Sequence, residues 1–273
     1  MGVLCGLLPL LGAACAPRLM KLPSGPGAPA SDAADAIADA TTRCRAVDSI
    51  TAAIAVSGSV GGQRLRGHLL AGLMPPASAR LEAVAPAGPP LFIFVATRDD
   101  ATLLLPRDSR VLRHGRPSDV LEAIAGVPLD PVDLRVALTG CAQAPDREQG
   151  RQFGADWRVV SDGPTQLFLH REANARWRLV ASEHHGGSRD TRGGGQRDRG
   201  DWRAEYADFE DDLPHSIRLV SADASRFDLR LKLSQVETNV ALGRDAFTVR
   251  VPQDADPISL EELRRTRPGV REN

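Results

Sequence analysis

Apolar and polar positions alternate with a period of two over much of the chain, starting near position 50. In residues 50–60, Ile54 and Val56 take one face and Ser57 and Ser59 the other. Gly61-Gly62 then marks a hairpin turn. Over residues 63–74, Leu65, Gly67, Leu69 and Ala71 alternate with Arg64, Arg66, His68 and Leu70, until Pro75-Pro76 breaks the run. Over 80–86, Leu81, Ala83 and Ala85 alternate with Arg80, Glu82 and Val84. Residues 91–97, with Phe92 and Phe94, and 101–105, with Leu103 and Leu105, are apolar throughout and flank a turn at Arg98-Asp99-Asp100. A short strand at 110–113 ends this block.

Helical spacing interrupts the strands in two places. Ser31 and Asp32 offer caps to a first helix, with Asp35 in its first turn and Ala34, Ile37, Ala38 and Thr41 recurring to about Arg45. In mid-chain Ser118 caps a helix carrying Val120, Leu121 and Ile124, which stops at Gly126. Asp130 caps the next, with Pro131 at its first position, Val132, Leu134, Val136 and Leu138 apolar, and Gly140 ending it. Strands resume from 152 to 162, which holds Trp157, and continue to a last one at 246–251. Trp177, Leu179 and Ala181 oppose Arg176 and Arg178; Phe227, Leu229, Leu231 and Leu233 oppose Asp228, Arg230 and Lys232. Residues 184–200, rich in Gly, Arg and Asp, read as a mobile hairpin loop, and the tail from Leu260 as one helical turn before Pro268.

These elements predict an α+β domain, mainly β, over residues 31–257, with a tail at 258–273. Its expected form is a strongly curved antiparallel half-barrel of about eleven strands under three short helices. Three short helices cover only part of so large an apolar face. The remainder is an apolar concavity suited to a lipid-like ligand. Its expected walls are Ile54, Val56, Leu69, Leu81, Phe92, Phe94, Leu103 and Leu105 from the first strands. Leu121, Ile124, Leu134 and Leu138 come from the helices, and Trp157, Trp177, Leu179, Phe227, Leu229 and Leu231 from the later strands.

Residues 1–14 are apolar and end in Gly12-Ala13-Ala14, the pattern of an export signal, and are too short to span a bilayer. Cys15 follows at once, so the stretch resembles a bacterial lipobox, which implies cleavage before Cys15 and lipidation of its thiol. Gly12 stands where lipoboxes usually carry Leu. No Lys or Arg precedes the apolar run, which implies a true start upstream of Met1. Residues 15–30, rich in Pro, Gly and Ala, read as a flexible tether behind the lipidated cysteine. Cys44 and Cys141 are the cysteines left outside the signal. They read as a disulfide pair in an oxidising compartment, with two separate buried thiols as the alternative. A net charge of −1, from 34 basic and 35 acidic residues, points away from nucleic acid.

The order helix, strands, two helices, strands resembles the LolA/LolB lipoprotein-carrier fold, and LolB in particular. Val84-Ala85-Pro86-Ala87-Gly88 is similar to a LolB strand and loop. Gly126-Val127-Pro128-Leu129 with Leu121, Ile124, Leu134, Leu138 and Gly140 resembles the paired helices of that family. Asp156-Trp157-Arg158 and Asp201-Trp202-Arg203 resemble its Trp-containing strands, and Leu213-Pro214 to Leu233 its closing hairpin. Residues 247–252 look more like the LolA terminus. The resemblance implies an outer-membrane lipoprotein facing the periplasm, held by its N-terminal lipid, that binds a lipid or an acylated protein as a monomer. It also implies a membrane-facing loop at Pro86, Ala87 and Gly88, where Ala87 replaces a protruding Leu. The other reading is a half-barrel module that binds an envelope protein without transfer.

No catalytic constellation stands out, and neither an enzyme, a cofactor nor a metal is expected. Ser57-Gly58-Ser59 lacks the spacing of a nucleophile elbow. His170, His184 and His185 lack a carboxylate or thiolate at fixed spacing. Gly193-Gly194-Gly195 lacks the strand-to-helix setting of a phosphate loop.

Overall fold

The computed structural model describes residues 18–142, 149–185 and 201–266. Its first half holds β1 (Ala28–Pro29), α1 (Ala33–Ala40), β2 (Ile50–Val60), β3 (Gln63–Met74), β4 (Ser78–Val84), β5 (Phe92–Thr97), β6 (Asp100–Leu105) and β7 (Arg110–Gly115). The helices α2 (Pro117–Ala125) and α3 (Pro131–Thr139) follow. The second half holds β8 (Gln149–Phe153), β9 (Trp157–Asp162), β10 (Thr165–Arg171), β11 (Trp177–His184), β12 (Trp202–Glu210), β13 (Leu213–Ser221) and β14 (Phe227–Thr238). It ends with β15 (Asp256–Pro257) and α4 (Leu260–Thr266).

Among the described residues, fifteen strands form one curved, unclosed sheet. Two meanders, β2 to β7 and β8 to β14, join where β14 pairs antiparallel with β2. The edges are β1, beside β8, and β15, which pairs parallel with β7. The Gly61-Gly62 turn is two residues long with φ of 58° and 78°, the left-handed geometry that matches strand twist in a tight hairpin. Gly58 answers a different demand. A Cβ there would lie 2.0 Å from the carbonyl oxygen of Asp228, so β2 and β14 approach this closely only through glycine. The core lies between the inner face of the sheet and the four helices.

Several expectations change. The strand count rises from about eleven to fifteen, because very short edge strands carry no periodicity. The single strand expected at 152–162 is a hairpin, β8 and β9, turning at Gly154 with φ of 65°. The strand expected at 246–251 is absent. Arg80 instead donates to the carbonyls of Ala246 and Thr248, at 3.2 and 2.9 Å, and Phe247 is buried against the sheet. The turn expected from Leu260 is a helix whose Leu263 is fully buried, so Leu263 joins Ile258 in the core.

Helix starts also differ. α1 stops at Ala40, where the hydroxyls of Thr41 and Thr42 bond back to the carbonyls of Ile37 and Ala38. Asp32 does not cap α1; its carboxylate binds Arg158 instead. Ser118 lies inside α2, which starts at Pro117 after Arg116. At α3 the capping box of Asp130 and Asp133, with Pro131 and left-handed Gly140, fits the sequence pattern.

Residues 18–30, read as part of a free tether, lie along the outer face of the sheet. Met20 donates its N–H to Glu205 and accepts from Arg203, Leu22 packs toward Val159, Phe168 and Ala181, and β1 pairs with β8. Cys15 and most of the loop 184–200 lie outside the described residues.

Candidate functional site

The inner face of the sheet is apolar by alternation. Ile54, Val56, Leu81, Phe94, Leu103, Leu105, Leu179, Phe227, Leu229 and Leu231 point inward and are buried in one continuous cluster. Leu121, Ile124, Leu134 and Leu138 meet them from α2 and α3. Leu69, Phe92 and Trp177 are partly buried at the margin of the same cluster. Trp157 is the exception. It lies on the outer face with Phe153 and Val159, its ring edge-on to His170 at 4.7 Å. Strand β9 turns Val160 inward instead, and a period of two does not say which face is which.

Sequence alone suggested an open concavity. The structure fills it. Beneath α3, between Leu138 and the strand residues Ile54, Ala71, Leu73 and Leu233, the space left is about 10 Å³. That is close to the least that holds one water. Larger open volumes lie elsewhere. One of about 450 Å³ sits between the outer face and the segment carrying Phe247, and one of about 590 Å³ lies under the N-terminal segment from Met20 to Gly25.

Three contacts hold the helices shut. Tyr206, fully buried on β12, donates to the carbonyl of Val136 on α3 at 3.1 Å and meets the Ser182 hydroxyl at 3.1 Å. Burial pushes the phenol far above its ordinary value, so it stays a neutral donor. A disulfide joins Cys44, after α1, to Cys141, after α3, with a Cα–Cα distance of 5.2 Å. At the rim of α1, Asp32 grips Arg158 at 2.7 and 2.8 Å, and the guanidinium lies 4.8 Å from the centre of the Trp177 ring. The Arg158 hydrogen bond holds the Asp32 carboxyl below its ordinary range. Nothing in a period-two pattern signals the Tyr206 or Arg158 contacts, since both depend on tertiary placement.

The hinge of the helix pair is short. α2 ends at Gly126 with φ of 74°, and Val127-Pro128-Leu129 leads directly to the α3 cap. At the end of β4 the loop Pro86-Ala87-Gly88 is exposed, and Arg107 braces it by donating to the carbonyls of Ala87 and Pro89. Val84 and Leu91 stand exposed at its base.

The histidines are engaged in structure. His184 stacks on Trp202 at 5.3 Å, and His185 faces Asp201 at 3.6 Å. Among the described residues no three His, Cys, Asp or Glu side chains stand together as a metal site, and no helix is long and apolar enough to cross a membrane.

No protein-family model matches this sequence, and no curated protein matches it. Solved structures do. A LolA superfamily protein from Nitrosomonas europaea is 14% identical with a TM-score of 0.50, covering 80% of this chain and 97% of its own. A domain assigned to outer membrane lipoprotein sorting in Vibrio parahaemolyticus is 13% identical with a TM-score of 0.49, covering 79% and 97%. At such identity the likeness is one of fold: the chain has a LolA-like fold.

Proposed function

We propose that this protein is an envelope lipoprotein that binds acyl chains, of free lipid or of lipidated proteins, beneath α2 and α3. It works at the outer membrane on the periplasmic side, in the manner of LolB, anchored through Cys15. One observation carries the reading. The inner face of a fifteen-stranded sheet is largely apolar, and two nine-residue helices joined by a five-residue linker close it. The filled interior is a closed form. An acyl chain enters by shifting the helix pair.

Magnitudes allow this. Burial gains about 0.8 kcal/mol per CH₂, so a chain of about a dozen carbons gains about 10 kcal/mol. Lifting Leu134, Ala137 and Leu138 off the sheet costs about 5 kcal/mol on the same scale, and moving Leu121 and Ile124 of α2 with them costs about as much again. The two sides are therefore close to balance, and an acyl chain competes with the helix pair for the inner face. No covalent step is involved. Ala87 gives the loop little insertion force, and Val84 and Leu91 supply its apolar base instead.

A second reading, a half-barrel that binds an envelope protein without transfer, is favoured by the packed interior itself. Native mass spectrometry of protein extracted gently from membranes separates the two. The carrier reading expects a hydrophobic adduct. Protein that is repeatedly empty, with one stoichiometric protein partner, supports the second reading instead.

A further inference from the structure

The inner face explains half of each strand. The outer face of β12, β13, β14, β2 and β3 carries a separate pattern. Registered pairs put Glu205, Arg218, Arg230, Ser57 and Arg66 in one row across the five strands. The next row holds Arg203, Val220, Asp228, Ser59 and Arg64, and the one on the other side holds Lys232, Ala55 and His68. Residues paired across a sheet share a face, and neighbouring strands lie about 4.8 Å apart, so these side chains form one patch about 20 Å wide.

The patch is basic beyond its acids. Arg203 pairs with Glu205, and Arg218 binds Asp228 at 2.8 and 3.0 Å. Arg230 adds its charge to Asp228 at longer range. Arg64, Arg66 and Lys232 make no ion pair or hydrogen bond among the described residues. The whole chain has a net charge of −1, so this excess is segregated rather than a reflection of composition. Exposed apolar side chains flank it: Leu19 and Met20 at the β12 side, Leu70 and Val84 at the β3 and β4 side.

We infer that this outer face rests on an anionic membrane surface, with Arg64, Arg66, Arg230 and Lys232 against lipid phosphates. The path of the N-terminus selects a membrane over another anionic partner. Met20 is fastened to Glu205 and Arg203 at the border of the patch, so the chain preceding it leaves from this face. Four residues lie between Cys15 and Met20, a reach of at most about 18 Å over five steps of the chain. A lipid on Cys15 therefore brings this face to the headgroups and turns α2 and α3 away from them, toward the periplasm. The orientation rests on the anchoring reading above; the affinity of the patch does not.

The test uses residues 15–273 carrying Cys15→Ser, so that no lipid is attached. It compares vesicles of phosphatidylcholine alone with vesicles of equal phosphatidylcholine and phosphatidylglycerol. We expect binding to the mixed vesicles only, weakening as salt rises. Arg64→Gln with Arg66→Gln, both at exposed positions, lowers that binding roughly tenfold or more. Circular dichroism of the double variant checks that its fold is kept. Binding to neither vesicle overturns the inference, whatever acidic protein the chain captures. So does equal binding to both, or unchanged affinity in the double variant. If vesicle binding behaves as expected while acyl uptake is absent, this surface stands and the interior reading fails.

Discussion

Tyr206 and Val136 are joined across the interior, the phenol of β12 donating to a carbonyl in the middle of α3 at 3.1 Å. The contact ties the lid to the wall it covers. Tyr206→Phe removes the donor and keeps the ring. A net hydrogen bond contributes about 1 kcal/mol, so the variant should unfold at slightly lower urea and take up an acyl probe more readily. Equal uptake by both chains removes this bond from the gate.

The Cys44–Cys141 disulfide closes a loop spanning 97 positions. Constraining a loop of that length in the unfolded chain stabilises the fold by about 2–5 kcal/mol. Cys44→Ala with Cys141→Ala, or reduction of the native protein, should lower the thermal midpoint by several degrees. Thermal scans with and without reductant check this. Two free thiols on titration of the unfolded, unreduced protein contradict the pairing directly.

Acid should weaken the fold through its aspartates. Arg218 holds the Asp228 carboxyl below its ordinary value of 3.8, and Arg158 does the same for Asp32. A carboxyl depressed on folding contributes stability above its unfolded value and loses it as pH falls through the folded one. Urea midpoints should therefore decline as pH drops below about 4. Asp228→Asn should be less stable than the native chain at neutral pH and converge with it in strong acid. Parallel pH profiles count against the ion pair.

Leu263 on α4 is fully buried. Leu263→Ala should cost about 2–5 kcal/mol, the usual range for a core leucine. An unchanged denaturation midpoint shows that residues 258–266 are dispensable to the core.

Much of this architecture is legible in the sequence, for identifiable reasons. Long strands such as β2, β3 and β14 announce themselves because one face is buried and the other wet, and Gly61-Gly62, Asp130-Pro131 and Gly140 are punctuation with local causes. The candidate site is less legible. Alternation puts Leu229 on the inner wall, and the apolar runs at 91–97 and 101–105 add Phe94 and Leu103, but Trp157 is placed there too, because periodicity carries no information about which face turns inward. Whether the wall encloses space or packs shut depends on side chains brought together from positions as distant as Ile54, Leu138 and Leu233. The course of residues 18–30 was hidden for a similar reason. Pro and Gly composition suggests slack chain, while the bonds of Met20 and the pairing of Ala28 and Pro29 depend on partners more than a hundred positions away.

The central claim is that the closed interior opens for an acyl chain. Fluorescence titration with a pyrene-labelled fatty acid tests it directly. The account predicts saturable uptake at one probe per chain, strengthened in Tyr206→Phe and unaffected by Arg64→Gln with Arg66→Gln. No uptake by the native chain or by Tyr206→Phe contradicts it.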